Sequence, residues 1–181
     1  MRKSFESDRL TIRPTTEADA ELVYELMNTP KFIQFVGDRG INSCVEAKNY
    51  IKTKMLPQLH SLGYSSYTLV TKVDGSKIGT CGLYNREGVD GIDIGFGLLP
   101  AYERLGYAYE AASILLQAAF TDFGIMEIKA ITAKDNVSSQ RLLEKLGLAL
   151  IGTTTLPNDT EEILLYTIDK KKYQERIIEN G

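Results

Sequence analysis

Residues 94–112 read Ile94-Gly95-Phe96-Gly97-Leu98-Leu99-Pro100-Ala101-Tyr102-Glu103-Arg104-Leu105-Gly106-Tyr107-Ala108-Tyr109-Glu110-Ala111-Ala112. The first part is β-rich and ends against Pro100; from Tyr107 onward small and apolar residues recur at helical spacing. A strand, a short turn and a helix therefore follow one another, with Gly106 at the helix start. The first N–H groups of a helix have no internal acceptor and carry the positive end of its dipole, and a glycine lets an anion approach that backbone closely. Such a turn suits a pyrophosphate. The same glycine would equally serve a tight turn with no ligand, and the turn alone does not choose between the two.

Working outward, Tyr64 to Val73, Lys77 to Tyr84 and Gly91 to Leu98 are strand-like, and Asp74-Gly75 between the first two is a hairpin signal. Downstream, Ala108, Ala111, Ala112, Leu115, Ala119 and Phe120 carry the helix from Tyr107 to Phe123, where Gly124 stops it. Glu127 to Thr132 reads as a buried strand and Asn136 to Leu146 as a helix closed by Gly147. Leu148 to Thr155 and Glu161 to Ile168 close the sheet, and a last helix can start at Lys171. Near the N-terminus, Leu10-Thr11-Ile12-Arg13 is a short strand stopped by Pro14. Thr16-Glu17-Ala18-Asp19 then caps a helix bearing Leu22, Val23, Leu26 and Met27. Asn42 to Leu56 gives a second helix with Val45, Ala47, Tyr50, Ile51 and Met55 as its apolar positions. The order β-α-α-β-β-β-α-β-α-β-β predicts an α/β fold: a mixed central sheet of about seven strands with helices on both faces. No repeat, low-complexity stretch or linker divides it, so residues 1–181 read as a single domain.

The composition fits this reading. With 181 residues, 21 Lys+Arg against 24 Asp+Glu, a formal net charge of −3 and 43% hydrophobic residues, the chain can bury a sizeable core without disulfide or metal staples. Cys44 and Cys81 lack the paired spacing of a zinc or redox motif and are expected as free thiols buried as small hydrophobes, as in a reducing compartment. The opening Met1-Arg2-Lys3-Ser4-Phe5-Glu6 has no apolar signal stretch and no later segment is long enough to span a membrane, so the expectation is cytoplasmic. A pI near 5.3 with interspersed charges argues against nucleic-acid and membrane partners, and Lys170-Lys171-Lys172 is expected as a solvated helix start. The single His60 is expected in a surface or capping role, no metal set is discernible, and the nucleoside-triphosphate and dinucleotide loop patterns are absent.

Taken with three further segments, the turn resembles the GNAT superfamily of acetyl-CoA-dependent N-acetyltransferases, specifically its RimJ/RimL-like branch. Glu6-Ser7-Asp8-Arg9-Leu10-Thr11-Ile12-Arg13-Pro14 with Asp19 is similar to that branch's opening strand and helix, and Ile78-Gly79-Thr80-Cys81-Gly82-Leu83 to its third strand. The turn resembles the Gln/Arg-x-x-Gly-x-Gly/Ala pyrophosphate loop, and Asn136-Val137-Ser138-Ser139-Gln140-Arg141-Leu142-Leu143-Glu144-Lys145-Leu146-Gly147-Leu148 resembles the Asn-x-x-Ser…Glu-Lys-x-Gly-Phe segment. The likeness runs from about residue 5 to 168. Glu103 stands where the loop pattern has Gln or Arg, and Arg104 where glycine is frequent. A carboxylate beside a pyrophosphate is unfavourable unless it points away, and Arg104 can compensate.

The resemblance implies a GNAT fold whose strand Gly91 to Leu99 splays from strand Glu127 to Thr132, opening a slot for pantetheine. It implies acetyl-CoA as cosubstrate, no metal, and acetyl transfer to a primary amine, a protein N-terminus or a small molecule, by direct attack in a ternary complex. Cofactor-binding candidates are Leu98, Leu99, Arg104, Leu105, Gly106, Tyr107, Ala108, Tyr109 and Asn136, with backbone N–H groups around Leu98 and Leu99 meeting the thioester. Ser139 matches the family serine that protonates the leaving thiolate, with a helix-start hydroxyl as its other reading. Asp93 stands on the strand where many members carry a Glu used as base, with an edge or ion-pair role as the alternative. It shares a face with Gly91, Gly95 and Gly97, sparsely filled enough for a substrate. An alkyl amine with a pKa of about 10.4 needs such a base, whereas an α-amino group of about 8 hardly does. The branch's own base position falls at Asn158, which takes no proton, beside Asp159 and Glu161. Phe32, Phe35, Tyr50, Tyr64 and Tyr84 wall an acceptor site or belong to the core. The competing functions are a catalytically weakened CoA-binding module and an acyltransferase with another donor or acceptor. A homodimer is left open.

Overall fold

The β-rich stretches pair into one eight-stranded sheet in the computed structural model, which describes residues 3–180. Met1 and Arg2 of the charged opening segment, and Gly181, lie outside the described residues. The strands are β1 (Phe5–Glu6), β2 (Leu10–Pro14), β3 (Ser66–Thr71), β4 (Lys77–Tyr84), β5 (Ile92–Leu98), β6 (Glu127–Thr132), β7 (Ala149–Thr154) and β8 (Ile163–Asp169), in the order β1-β2-β3-β4-β5-β6-β8-β7. The strand beyond the expected seven is β1, a short pairing of Phe5 with Ile12 and Glu6 with Thr11. All pairings are antiparallel except β5 with β6.

Helices cover both faces. On one side lie α1 (Ala20–Met27), α2 (Pro30–Phe35), α3 (Cys44–Tyr50) and α4 (Leu56–Leu62), with a π-helical turn, Ile51–Met55, between the last two. On the other lie α5 (Tyr107–Thr121), α6 (Val137–Leu146) and α7 (Lys170–Asn180). The alternation of β5 explains the division: Ile92, Ile94, Phe96 and Leu98 face the core that α5 and α6 complete, whereas Gly97 backs onto Leu26 of α1. Ala111, Ala112, Ala118 and Ala119 are buried, so α5 seats on the sheet through small side chains.

The expected helix over Asn42 to Leu56 is two helices joined by the π turn. Pro57 does not end it, because proline is tolerated in the first turn of α4. Ala47, Ile51 and Met55 are buried as expected, but Val45 is 78% exposed and Cys44, at the start of α3, is exposed rather than buried. Cys81 is buried, and both thiols are free. The reading also lacked α2, although Thr29 accepting the Phe32 N–H at 3.3 Å ahead of Pro30 is a cap written in the sequence. Lys170, Lys171 and Lys172 open α7, and His60 is exposed in the last turn of α4. Among the described residues no helix is long and apolar enough to cross a membrane.

Candidate active site

β5 and β6 pair only at Ile92 with Ile128 and Asp93 with Lys129, and then part. Because they are parallel, their C-terminal ends lie at the same end of the sheet, where β5 leads into the Gly106 turn and β6 into Asn136. The parting opens the slot there. Along β5, the Leu99 N–H donates to Ile78 O at 2.8 Å, so that amide, expected at the thioester, is spent on β4. Successive strand amides point in opposite directions, which turns the Leu98 N–H toward the slot. At the end of β6, Thr132 Oγ1 is buried without a hydrogen-bond partner among the described residues.

The turn itself takes the form an anion needs. Arg104 has φ 60° and Gly106 φ 86°, both left-handed, and Gly106 is the N-cap of α5 with no side chain capping it. The N–H groups of Tyr107, Ala108 and Tyr109 are thereby left without intrahelical acceptors. A Cβ built at Gly106 would come within 3.2 Å of Arg9 Nη2, so a side chain there would press on the Arg9 guanidinium. Leu105 and Arg104 are exposed beside it. Glu103 does not face an empty site: it pairs with Lys31 at 3.2 Å. Tyr107 lies under the Arg9 guanidinium at 4.2 Å and Tyr109 under Lys145 Nζ at 4.1 Å. The uncapped amides, the surrounding cations and the slot fit a pantetheine pyrophosphate.

Across the slot, Asn136 caps α6, its Oδ1 accepting the Ser139 N–H at 3.3 Å and the Ser138 hydroxyl at 3.5 Å. Its amide NH2 then remains to donate. Ser139 is half-buried in the same first turn.

The face of β5 expected to be sparse is covered at Gly95 and Gly97 and open only at Gly91. The Tyr84 ring lies against Gly95, whose Cβ position is 3.1 Å from Tyr84 Cε2, and Leu26 covers Gly97. Asp93 is buried, and its carboxylate takes Arg86 Nε at 3.2 Å and Nη2 at 3.2 Å. Burial pushes the Asp93 carboxyl above its ordinary value, and the Arg86 charge opposes that shift. Of the aromatics, Phe32 and Tyr50 pack with α1 and α3, whereas Tyr64 belongs to the core on the other face, its ring 5.0 Å from that of Phe123. Asn158 has φ 63° in an exposed loop where Asp159 Oδ1 accepts the N–H groups of Thr160 and Glu161. Among the described residues no group of His, Cys, Asp and Glu forms a metal-ligand set.

The sequence reading missed the contacts of Arg9 and Glu110, which meet across 101 positions of chain. Arg9 lies in the quoted opening segment, but nothing local signals its partner.

Comparison with known proteins agrees with this geometry. The model of the acetyltransferase (GNAT) domain matches residues 9–149. The chain is 28% identical over 146 residues to the uncharacterized N-acetyltransferase YoaA of Bacillus subtilis (strain 168), covering 79% of this chain and 81% of that protein. Its fold superposes with a TM-score of 0.78 on RimL, a ribosomal alpha-N-protein acetyltransferase in complex with coenzyme A, at 17% identity, covering 92% of this chain and 98% of that one. It superposes with a TM-score of 0.74 on the aminoglycoside acetyltransferase AAC(6')-Ib in complex with coenzyme A, at 18% identity, covering 92% and 98%. A splayed parallel pair, an uncapped helix start at its end and a family match over most of the chain converge: this chain belongs to the GNAT acetyltransferase family.

Proposed function

We propose that the protein is a RimJ/RimL-like N-acetyltransferase that moves acetyl from acetyl-CoA to a primary amine in a ternary complex. The observation that carries this is the uncapped start of α5 at the same end of the sheet as the parting of β5 and β6. Acetyl-CoA supplies the activated acetyl thioester. The amides of Gly106, Tyr107, Ala108 and Tyr109 bind its pyrophosphate, with Arg104 and Leu105 exposed at the rim. The Leu98 N–H donates to the thioester carbonyl oxygen, where charge develops during attack. Leu99 contributes apolar lining through its contacts with Leu22 and Leu26. Asn136 orients the cofactor through its amide, and the Ser139 hydroxyl gives a proton to the departing sulfur while it regains one, through water, from the amine that attack has made acidic.

Asp93 has two possible roles, which one variant separates. As the group that takes the amine proton, its replacement by Asn lowers kcat by a hundredfold or more; as the buried partner of Arg86, it lowers Tm and leaves kcat within a fewfold. RimL and AAC(6')-Ib act, by their names, on different acceptors, so the likeness in fold does not choose the amine. The test is calorimetric binding of CoA followed by thiol release from acetyl-CoA across a panel of N-terminal peptides, amino acids, polyamines and aminoglycosides. Turnover with one class supports the reading. CoA binding with no release across the panel, from acetyl-CoA or other short acyl-CoAs, replaces it with a non-catalytic CoA-binding module.

A further inference from the structure

Glu110 lies in the first turn of α5, behind the amides assigned to the pyrophosphate. A carboxylate there adds negative charge next to a doubly charged ligand and lies within reach of the helix-start N–H groups the ligand needs. The structure turns it away and neutralises it. Glu110 Oε1 accepts the Ser7 hydroxyl at 2.7 Å and the Arg9 backbone N–H at 2.9 Å, and Oε2 accepts Arg9 Nε at 2.7 Å. Burial alone would raise this carboxyl, but the hydrogen bonds from Ser7 and Arg9 outweigh it and keep its pKa below the ordinary glutamate value.

The same guanidinium reaches the turn itself. Arg9 Nη1 donates to Leu105 O at 2.9 Å, and the group stacks on Tyr107. In a trans peptide the carbonyl and the following N–H point in opposite directions. Fixing the Leu105 carbonyl on Arg9 therefore directs the Gly106 N–H away from Arg9, to the open side of the turn. One side chain from β2's entry thus sets both the charge and the direction of the amides at the start of α5.

Building on the cofactor reading above, we infer that Arg9 is a positioning residue for the pyrophosphate turn. It acts through Leu105 and Glu110 and sets how tightly CoA is held, without taking part in proton transfer. The experiment compares CoA affinity by calorimetry, and Tm, for the wild type, Arg9→Gln, Arg9→Lys and the double variant Arg9→Gln/Glu110→Gln. Arg9→Gln leaves the Glu110 charge uncompensated and is expected to weaken CoA at least tenfold. The double variant, which removes that charge, is expected to recover threefold or more of the loss although it restores no contact, and Arg9→Lys falls between wild type and Arg9→Gln. A purely structural Arg9 would give no such recovery, since the double variant breaks more bonds than the single one. Arg9→Gln binding CoA within twofold of wild type, or a double variant no tighter than Arg9→Gln, overturns the inference. A wild-type protein that takes up no CoA overturns the cofactor reading itself, and this one with it.

Discussion

At Gly106 the backbone conformation and the neighbouring Arg9 guanidinium impose the same demand. Its φ of 86° costs an L-residue about 1–2 kcal/mol, more for a β-branched one, and a Cβ there would come within 3.2 Å of Arg9 Nη2. Gly106→Val is expected to weaken CoA binding at least tenfold while lowering Tm by a few degrees. Unchanged affinity by calorimetry would remove the turn from the site. Ser139 offers a sharper distinction, because its hydroxyl has a chemical and a structural reading. If it protonates the thiolate, Ser139→Ala lowers kcat roughly ten- to a thousandfold with little change in KM for acetyl-CoA. As Asn136, not Ser139, caps α6, the stability cost should stay under about 1 kcal/mol. Normal turnover in that variant rejects the catalytic role.

At the scale of elements, what was legible followed periodicity and punctuation. β6 spans Glu127–Thr132, as its alternation and flanks required; α6 runs from its Asn136 cap to Gly147, whose φ of 97° suits only that residue type well. The π turn at Ile51–Met55 was illegible because it adds a residue to the helical period without any breaker in the sequence. The turn and the Asn136 segment were legible as a candidate site because each is built on local backbone. Arg9 on Glu110, Tyr84 over Gly95 and Arg86 on Asp93 were not, since the first depends on how α5 seats on the sheet and the others on strand register, neither of which a local pattern encodes. The cap gives a test at this scale: Asn136→Ala should cost about 1 kcal/mol of stability by denaturant titration and also raise KM for acetyl-CoA, whereas a cap alone would leave KM unchanged.

Across the whole molecule, Asp19 ties the first layer of helices to the sheet. Its buried carboxylate accepts Arg13 Nη2 at 2.7 Å, Lys77 Nζ at 2.7 Å, the Thr16 N–H at 2.9 Å and the Thr68 hydroxyl at 3.1 Å, joining β2, β3, β4 and the start of α1. Burial pushes this carboxyl up, but the bonds from Arg13, Lys77 and Thr16 prevail and hold it well below the usual carboxylate range. A depressed folded pKa contributes stability above the unfolded value of about 3.9 and loses it as pH falls toward the folded one. Asp19→Asn should therefore cost about 3 kcal/mol at pH 7, and the variant's stability should decline less steeply than wild type's below pH 4. Equal acid slopes in the two proteins would deny Asp19 this role.

The parting of β5 from β6 has a consequence for amide exchange. The antiparallel run β1 to β5 and the block β6, β8 and β7 meet only through the short parallel pairing at Ile92 and Asp93, so the sheet is two ladders joined at an incomplete seam. On the proposed cofactor reading, a pantetheine chain lying in that seam would supply amide partners to the strands and act as a strand the protein lacks. Deuterium uptake at Phe96 and Leu98 should then be fast in the ligand-free protein and slow with CoA bound, while Gly95 and Gly97, paired into β4, exchange slowly in both. The cosubstrate would be the piece that closes the sheet.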